Sequence, residues 1–185
     1  MNMMKEKLHR LLYGFAAIAA LAFAAGCSDD DPTENIDESP VVTSASYTVD
    51  LTYPDDKLAL FDITAEYTSP AGTKTEAITG TWSKTFDFES FPADFSLKVR
   101  LKLKEGVDLT KKDHYDLGRT MSRKMVVHYS NGSWGLSGDV LSEKSTMPVG
   151  ADKIELYAER NSEDLAVAFT VDLNADRSDV VTTGK

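Results

Sequence analysis

The chain has few of the residues that usually carry covalent or metal chemistry. Its 185 residues include one cysteine, Cys27, and three histidines. A single cysteine excludes a disulfide within the chain and a cluster of thiolate metal ligands. The sequence also lacks the Gly-x-Ser-x-Gly elbow of many hydrolases and a phosphate-binding glycine loop between a strand and a helix. We therefore expect no enzymatic activity, no cofactor and no metal.

Positive charge is also scarce. The chain contains 20 Lys and Arg residues against 30 Asp and Glu residues, which gives a formal net charge of -10. Residues 1–26 carry three basic residues and one acidic residue, so their removal would take the net charge from -10 to -12. An acidic chain repels nucleic acid and anionic membrane surfaces, so we expect no nucleic-acid partner.

The first 26 residues have the layout of a secretory signal. Met1 to Arg10 is a basic start, and Leu11 to Ala25 is apolar except for Tyr13 and Gly14. This order is typical of a signal peptide, and the apolar run is shorter than the about 20 residues that span a membrane. A buried amphipathic helix is the alternative. It is disfavoured because the run is apolar on all sides. We predict a signal peptide over 1–26.

The run closes with Ala24-Ala25-Gly26-Cys27. This ending resembles the lipobox of bacterial lipoproteins, with Ala24 at the position that is usually Leu. The resemblance implies that Cys27 is diacylated, usually triacylated, and becomes the first residue of the mature protein. Two or more acyl chains hold a protein stably on a membrane. The resemblance implies an outer-membrane localisation, with a lipid anchor at Cys27.

An acidic segment follows the cysteine. Ser28-Asp29-Asp30-Asp31 resembles the surface-export signal of Bacteroides-group lipoproteins, which implies display at the cell surface. A plain acidic tether is the alternative. Residues 28–42 contain six acidic residues, two prolines and few apolar ones. Such a stretch cannot bury enough surface to fold, so 27–42 is predicted to be the lipidated cysteine and a flexible linker.

Alternation of apolar and polar residues dominates the remaining chain. The clearest case is Phe95 to Leu103, where every second residue is apolar. Successive side chains of a strand face opposite sides of its sheet, so this strand is predicted to be half buried, with Leu97, Val99 and Leu101 in the core. Half-buried strands are typical of antiparallel sheets.

Other segments show the same period. They are 47–53, 61–67, 76–82, 86–88, 125–129, 134–136, 154–158 and 165–173. Pro54–Asp56, Ser69–Gly72 and Asn131-Gly132 are predicted turns, Arg160–Asp164 a hairpin loop, and Asp108 the cap of one helical turn. About eight short strands predict an all-β fold, an antiparallel β-sandwich over 43–185. This layout resembles small immunoglobulin-like or transthyretin-like lipoproteins of gut Bacteroides-type bacteria, most of which lack an assigned activity.

A basic stripe on the polar side of the 95–103 strand is the first candidate ligand site. Lys98, Arg100 and Lys102, with Lys104 beyond them, could meet an anionic glycan or an acidic partner. The alternative is pairing with acidic residues on neighbouring strands, which we favour. Trp134, next to the Asn131-Gly132 turn, is the second candidate ligand-binding residue.

Three weaker patterns are interpreted structurally. Asp172 to Asp176 has carboxylate and amide groups at alternate positions, as calcium loops do, but Arg177 replaces the expected glycine and Thr183 the expected acid. We expect a frayed polar strand end there. His128 is expected to face solvent, and Gly132, Gly135 and Gly138 are expected in turns or bulges.

These observations predict a surface-exposed lipoprotein that acts as a non-enzymatic binding or adhesion module. The expected partners are the membrane, through the lipid anchor, and a glycan or an envelope protein. The alternative is a structural or assembly subunit of a cell-envelope complex or fimbria. The ligand and the oligomeric state stay open at this point.

Overall fold

The computed structural model describes residues 39–184. The predicted signal peptide, Cys27 and the Ser28–Asp31 segment lie outside the described residues. The first strand begins at Val42, one residue before the expected start of the domain.

Eleven strands and two short helices make up the described region. The helices are α1 (Asp55–Leu60) and α2 (Ile154–Arg160), and single 3-10 turns cover Leu109–Lys111 and Ala151–Lys153. The strands are β1 (Val42–Thr52), β2 (Phe61–Ser69), β3 (Gly72–Ile78), β4 (Thr81–Phe88), β5 (Ala93–Leu103), β6 (His114–Asp116), β7 (Arg119–Tyr129), β8 (Trp134–Ser145), β9 (Pro148–Gly150), β10 (Glu163–Leu173) and β11 (Val180–Gly184).

Nine of these strands form two antiparallel sheets. One sheet has the order β4-β1-β7-β8, and the other has the order β11-β10-β5-β2-β3. The short strands β6 and β9 pair with each other. The predicted antiparallel β-sandwich is therefore confirmed, with nine strands in its main sheets. The predicted single strand over 76–82 is wrong, because the chain bends at Thr79-Gly80 and divides it between β3 and β4.

The core lies between the two sheets and is rich in aromatic side chains. Tyr47 of β1 contacts Phe95 of β5 and Phe169 of β10 edge to face, with ring centroids 5.3 and 5.1 Å apart. In β5, Leu97 and Val99 are fully buried, while Lys98 and Arg100 face solvent. The alternation predicted for this strand is confirmed.

The segment from Ile154 to Asp164 differs from the prediction. Residues 154–158 form helix α2 instead of a strand, and β10 begins at Glu163, inside the predicted hairpin loop. The apolar residues that pack inward are Ile154, Tyr157 and Ala158, which share one helical face. Leu156, which completes the apparent alternation, is 43 % exposed.

Two predicted loops follow their sequence signals and two do not. The predicted turn at Pro54–Asp56 is wrong, because Asp55 and Asp56 form the first turn of α1. Asp108 caps the 3-10 turn by accepting the Thr110 N–H, and Gly132 takes a φ of 80° in the β7–β8 hairpin, as predicted. The expected frayed end near Asp176 is wrong, because this segment is an ordered turn between β10 and β11. Asp176 accepts hydrogen bonds from the N–H and the hydroxyl of Ser178, and the short polar side chains thus fix the loop.

Candidate functional site

The basic stripe of β5 is engaged by acidic residues of the adjacent strands. Lys98 Nζ lies 3.9 Å from Glu163 Oε2, and Arg100 Nε lies 3.6 Å from Glu66 Oε2. Lys102 stands opposite Asp62 in the register of β2 and β5. The cross-strand pairing that the sequence favoured is present, and each exposed pair contributes about 0.2–1 kcal/mol. The stripe is therefore a weaker ligand-site candidate than Trp134.

Trp134 belongs to a row of exposed apolar side chains on the edge strand β8. Trp134 is 66 % exposed, and Leu136 and Val140 are each 58 % exposed. We call these three residues the apolar strip. Large apolar side chains gathered on a free strand edge are typical of interaction surfaces, because leaving them in water costs about 25 cal/mol per Å².

A β-bulge keeps the apolar strip on one face. Ser137 pairs with Met125 and Leu141 with Arg123, so three residues of β8 stand opposite the single residue Lys124. Gly138 takes a φ of 61° in this bulge, a conformation that glycine adopts without strain. The bulge adds two residues to β8. Val140 therefore stays on the outer face with Leu136.

At the edge of the sandwich opposite β8, a polar cluster around Glu76 of β3 closes the gap between the two sheets. Its carboxylate accepts hydrogen bonds from Lys84 Nζ at 2.7 Å, the Tyr67 hydroxyl at 2.6 Å and Trp82 Nε1 at 3.0 Å. These hydrogen bonds lower the pKa of Glu76 to about 2. The Glu76 cluster joins the edge strands β3 and β4 of the two sheets, and Trp82 is buried there. The two tryptophans thus have opposite environments.

The side that contains β8 is only partly closed. Strand β11 pairs with β10 from Phe169 to Leu173, so residues 163–168 of β10 have no neighbouring strand on that side within the described region. We call residues 163–168 the open half of β10. Their inward-facing Leu165 and Val167 are half-buried, and so is Leu141 of β8. We call the unpaired edge of β10 at its half-buried residues Leu165 and Val167 the slot.

A buried ionic cluster lies at the start of β10. Asp164 Oδ1 lies 2.6 Å from Lys57 Nζ, and Asp164 Oδ2 accepts hydrogen bonds from the Tyr53 hydroxyl at 2.9 Å and from Arg119 Nη1 at 3.0 Å. Arg119 also lies 3.2 Å from Glu143 of β8. The Lys57 and Asp164 side chains are 1 % and 7 % exposed. We call Lys57, Asp164, Arg119, Tyr53 and Glu143 the Asp164 cluster.

Burial and the charges of the Asp164 cluster shift the pKa values of Asp164 and of the neighbouring Tyr157. Burial opposes ionisation of Asp164, but the Lys57 ammonium and the Arg119 guanidinium outweigh it and hold the pKa of this carboxyl below its usual range. Burial, with the Asp164 charge, raises the pKa of the neighbouring Tyr157 to about 12. A cleft of about 190 Å³ opens beside the cluster, lined in part by Met147 and Asn161.

The Asp164 cluster is a structural ion-pair network that joins separate secondary-structure elements. Lys57 belongs to α1, Arg119 begins β7 and Asp164 lies at the start of β10, so the cluster fastens three distant segments together. Sequence reasoning missed it, because Lys57 and Asp164 are 107 residues apart and Asp164 was assigned to a loop. Neither residue stands in a recognisable motif.

His114 and His128, the two histidines of the described region, both face solvent, as expected for His128. Within residues 39–184, no group of three or more His, Cys, Asp or Glu residues could hold a metal ion, and no helix is long and apolar enough to cross a membrane. No family model, curated protein or solved structure matches the chain.

Proposed function

We propose that this protein is a lipid-anchored outer-membrane protein, displayed at the cell surface, which acts as a non-enzymatic binding module. The anchor rests on the sequence up to Asp31, with a basic start, an apolar run, the lipobox-like ending at Cys27 and the acidic run behind it.

The observation that carries the binding function is the apolar strip. Trp134, Leu136 and Val140 lie on one face of an edge strand, where each exposes more than half of its surface. Tryptophan is among the residues that contribute most of the binding energy in protein interfaces, and an exposed tryptophan also stacks on sugar rings. The ligand of this proposal is therefore an envelope protein or a glycan.

The anchor is tested by cell fractionation and mass spectrometry. Cys27→Ala is expected to release the protein from membranes, because no acyl chain is attached. Asp29, Asp30 and Asp31 changed together to Ala are expected to leave the lipid in place but protect the protein from protease added to intact cells. A membrane-bound Cys27→Ala protein alongside an unacylated wild type would contradict the anchor. Equal protease accessibility would reduce the acidic run to a tether.

The binding function is tested on immobilised glycans and on solubilised outer-membrane proteins. Trp134→Ser and Leu136→Ser are expected to weaken binding by about fivefold or more each, since truncating an interface anchor costs more than about 1 kcal/mol. Leu156→Ser is the matched control, because Leu156 is a similarly exposed apolar residue on α2. If the strip variants and the control bind alike, the strip is not the binding surface.

A second function, as a structural or assembly subunit of an envelope complex, is favoured by the free strand edges. β8 and the open half of β10 present backbone groups that another strand can pair with. Chemical cross-linking on intact cells distinguishes the two functions. A subunit is expected in one complex of fixed size, whereas a binding module is expected in complexes only when its ligand is present.

A further inference from the structure

We propose that the slot is a binding site for an extended strand of another polypeptide, which pairs with the open half of β10 and covers Leu165 and Val167. This inference rests on the proposed binding function, and it names the class of partner that binds. The site is distinct from the apolar strip, because Leu165 and Val167 face inward between the sheets, whereas Trp134 faces outward.

The backbone of the open half of β10 is arranged to receive a strand. The Leu101 N–H donates to the Ser162 carbonyl at 2.9 Å. The backbone N–H and C=O groups of every second residue of β5, counted from Leu101, therefore point toward β10. By the same alternation, Leu165 and Val167 bond to β5, while Ala166 and Ala168 present their N–H and C=O groups to the free side.

The next residue toward the start of β10 already has a partner on that side. The Asp164 carbonyl accepts a hydrogen bond from Arg119 Nη1, whose guanidinium is held by the Asp164 and Glu143 carboxylates. At the other end, the last residue of β11, Gly184, pairs with Phe169. The unpaired stretch is therefore bounded at both ends, and it covers the four residues 165–168, roughly 13 Å of strand.

The inward-facing side chains of β10 are buried to different extents where β11 is paired and where it is not. Phe169 and Val171, where β11 is paired, are 7 % and 0 % exposed. Leu165 and Val167 face the same way and belong to the same strand, but they are only half-buried. The difference coincides with the end of the β11 pairing. An incoming strand with apolar residues at alternate positions would complete this part of the core.

The chemistry of the slot selects the occupant. Backbone N–H and C=O groups spaced at strand intervals are matched by another polypeptide strand, and not by a glycan or a lipid. The chain's own linker is a poor occupant, since residues 28–38 contain six acidic residues and one large apolar residue, Ile36. A second copy is disfavoured by like-charge repulsion, because the chain has a net charge of -10. The partner strand is therefore apolar at alternate positions and neutral or basic.

The probe is a fluorescein-labelled, acetylated and amidated peptide of the sequence Lys-Val-Thr-Ile-Thr-Val-Lys, titrated into the full-length protein in detergent and followed by anisotropy. The same peptide with Pro in place of Ile is the control ligand. Ala166→Pro removes one N–H from the free edge and is expected to weaken binding by about tenfold or more. Ala166→Thr keeps that N–H and is expected to bind as wild type.

Two further measurements keep the result interpretable. Hydrogen–deuterium exchange on the wild type is expected to show slower exchange at Ala166 and Ala168 when peptide is added, which needs no variant to fold. Trp134→Ser is expected to bind the peptide as wild type, because the strip lies on the outer face. That variant separates this site from the binding surface of the proposed function.

Several outcomes overturn the inference. Absence of peptide binding to the wild type would remove the site, as would unchanged binding by a folded Ala166→Pro protein. Loss of peptide binding in Trp134→Ser alone would assign the peptide to the apolar strip and leave the proposed function standing without the slot. Dimers of the wild type that Ala166→Pro dissociates would make a second copy the occupant.

Discussion

Replacing Asp164 by Asn is the most informative test of how the sandwich is held together. Asn has nearly the same shape, so the change removes a charge without leaving a cavity. Lys57 would then keep its ammonium in a site where the side chain is 1 % exposed, and its nearest anion would be gone. Arg119 would lose one of its two carboxylate partners and keep Glu143.

The expected loss of stability is large. Removing one partner of a buried ion pair costs about 3–5 kcal/mol, because the other charge is left without compensation. With a urea slope of about 2 kcal/mol per molar for a domain of this size, a loss of about 4 kcal/mol lowers the unfolding midpoint by about 2 M. Replacing Lys57 by Met in the same protein is expected to recover part of the loss, since the isolated charge is then removed as well.

The pH dependence supplies a second signature. The pKa of Asp164 is lower in the folded protein than in the unfolded chain, so the stability that its carboxylate contributes is present above the unfolded pKa and is lost as pH falls through the folded value. Asp164→Asn lacks this contribution at every pH. The gap in unfolding free energy between wild type and variant is therefore expected to narrow as pH falls below about 4.

Glu66→Gln is the matched control, because it removes the carboxylate of a pair with Arg100 in which both side chains are about half exposed. An exposed pair contributes about 0–1 kcal/mol. If Asp164→Asn and Glu66→Gln lower the urea midpoint by the same amount, the Asp164 cluster does not hold the elements together, and the reasoning fails.

The remaining predictions concern packing. Leu101→Ala is expected to cost about 2–5 kcal/mol in urea unfolding, while Lys102→Ala changes stability by less than about 0.5 kcal/mol. Equal losses would contradict the register of β5. Gly118→Ala is expected to cost about 1–3 kcal/mol, because an added Cβ would lie 2.1 Å from the Ser145 carbonyl oxygen. Gly80→Ala meets no atom within 4 Å and is expected to leave the midpoint unchanged, and a Gly118→Ala protein as stable as the Gly80→Ala protein would refute the close contact.

The strands that could be predicted are those with one buried face. In β5, and in β1 around Tyr47, polar and apolar residues alternate because one side meets the core and the other meets water. The same alternation wrongly predicted a strand where the chain forms α2. Ile154, Leu156 and Ala158 alternate by sequence, whereas Ile154, Tyr157 and Ala158 lie on the buried helical face. Five residues are too few to distinguish the two periods.

The candidate sites depend on contacts that no local pattern contains. Trp134 could be singled out because it follows the Asn131-Gly132 turn, but its exposure follows from β8 being an edge strand. The Asp164 cluster joins residues 107 positions apart. The slot exists because β11 pairs with only half of β10, and pairing length is set by the tertiary fold.

The position of β1 determines how the domain resists mechanical force applied from its N-terminal side. Val41 exchanges hydrogen bonds with Ser130, and the Val42 N–H donates to the Arg177 carbonyl, so the chain is fixed where it enters the sandwich. From there β1 runs between β4 and β7 and is hydrogen-bonded to both. Tension along β1 loads its hydrogen bonds to β4 and to β7 together, so that both sets must break at once and not one bonded pair after another. Unfolding under such a load is governed by the unfolding rate, and a central strand loaded in shear keeps that rate low.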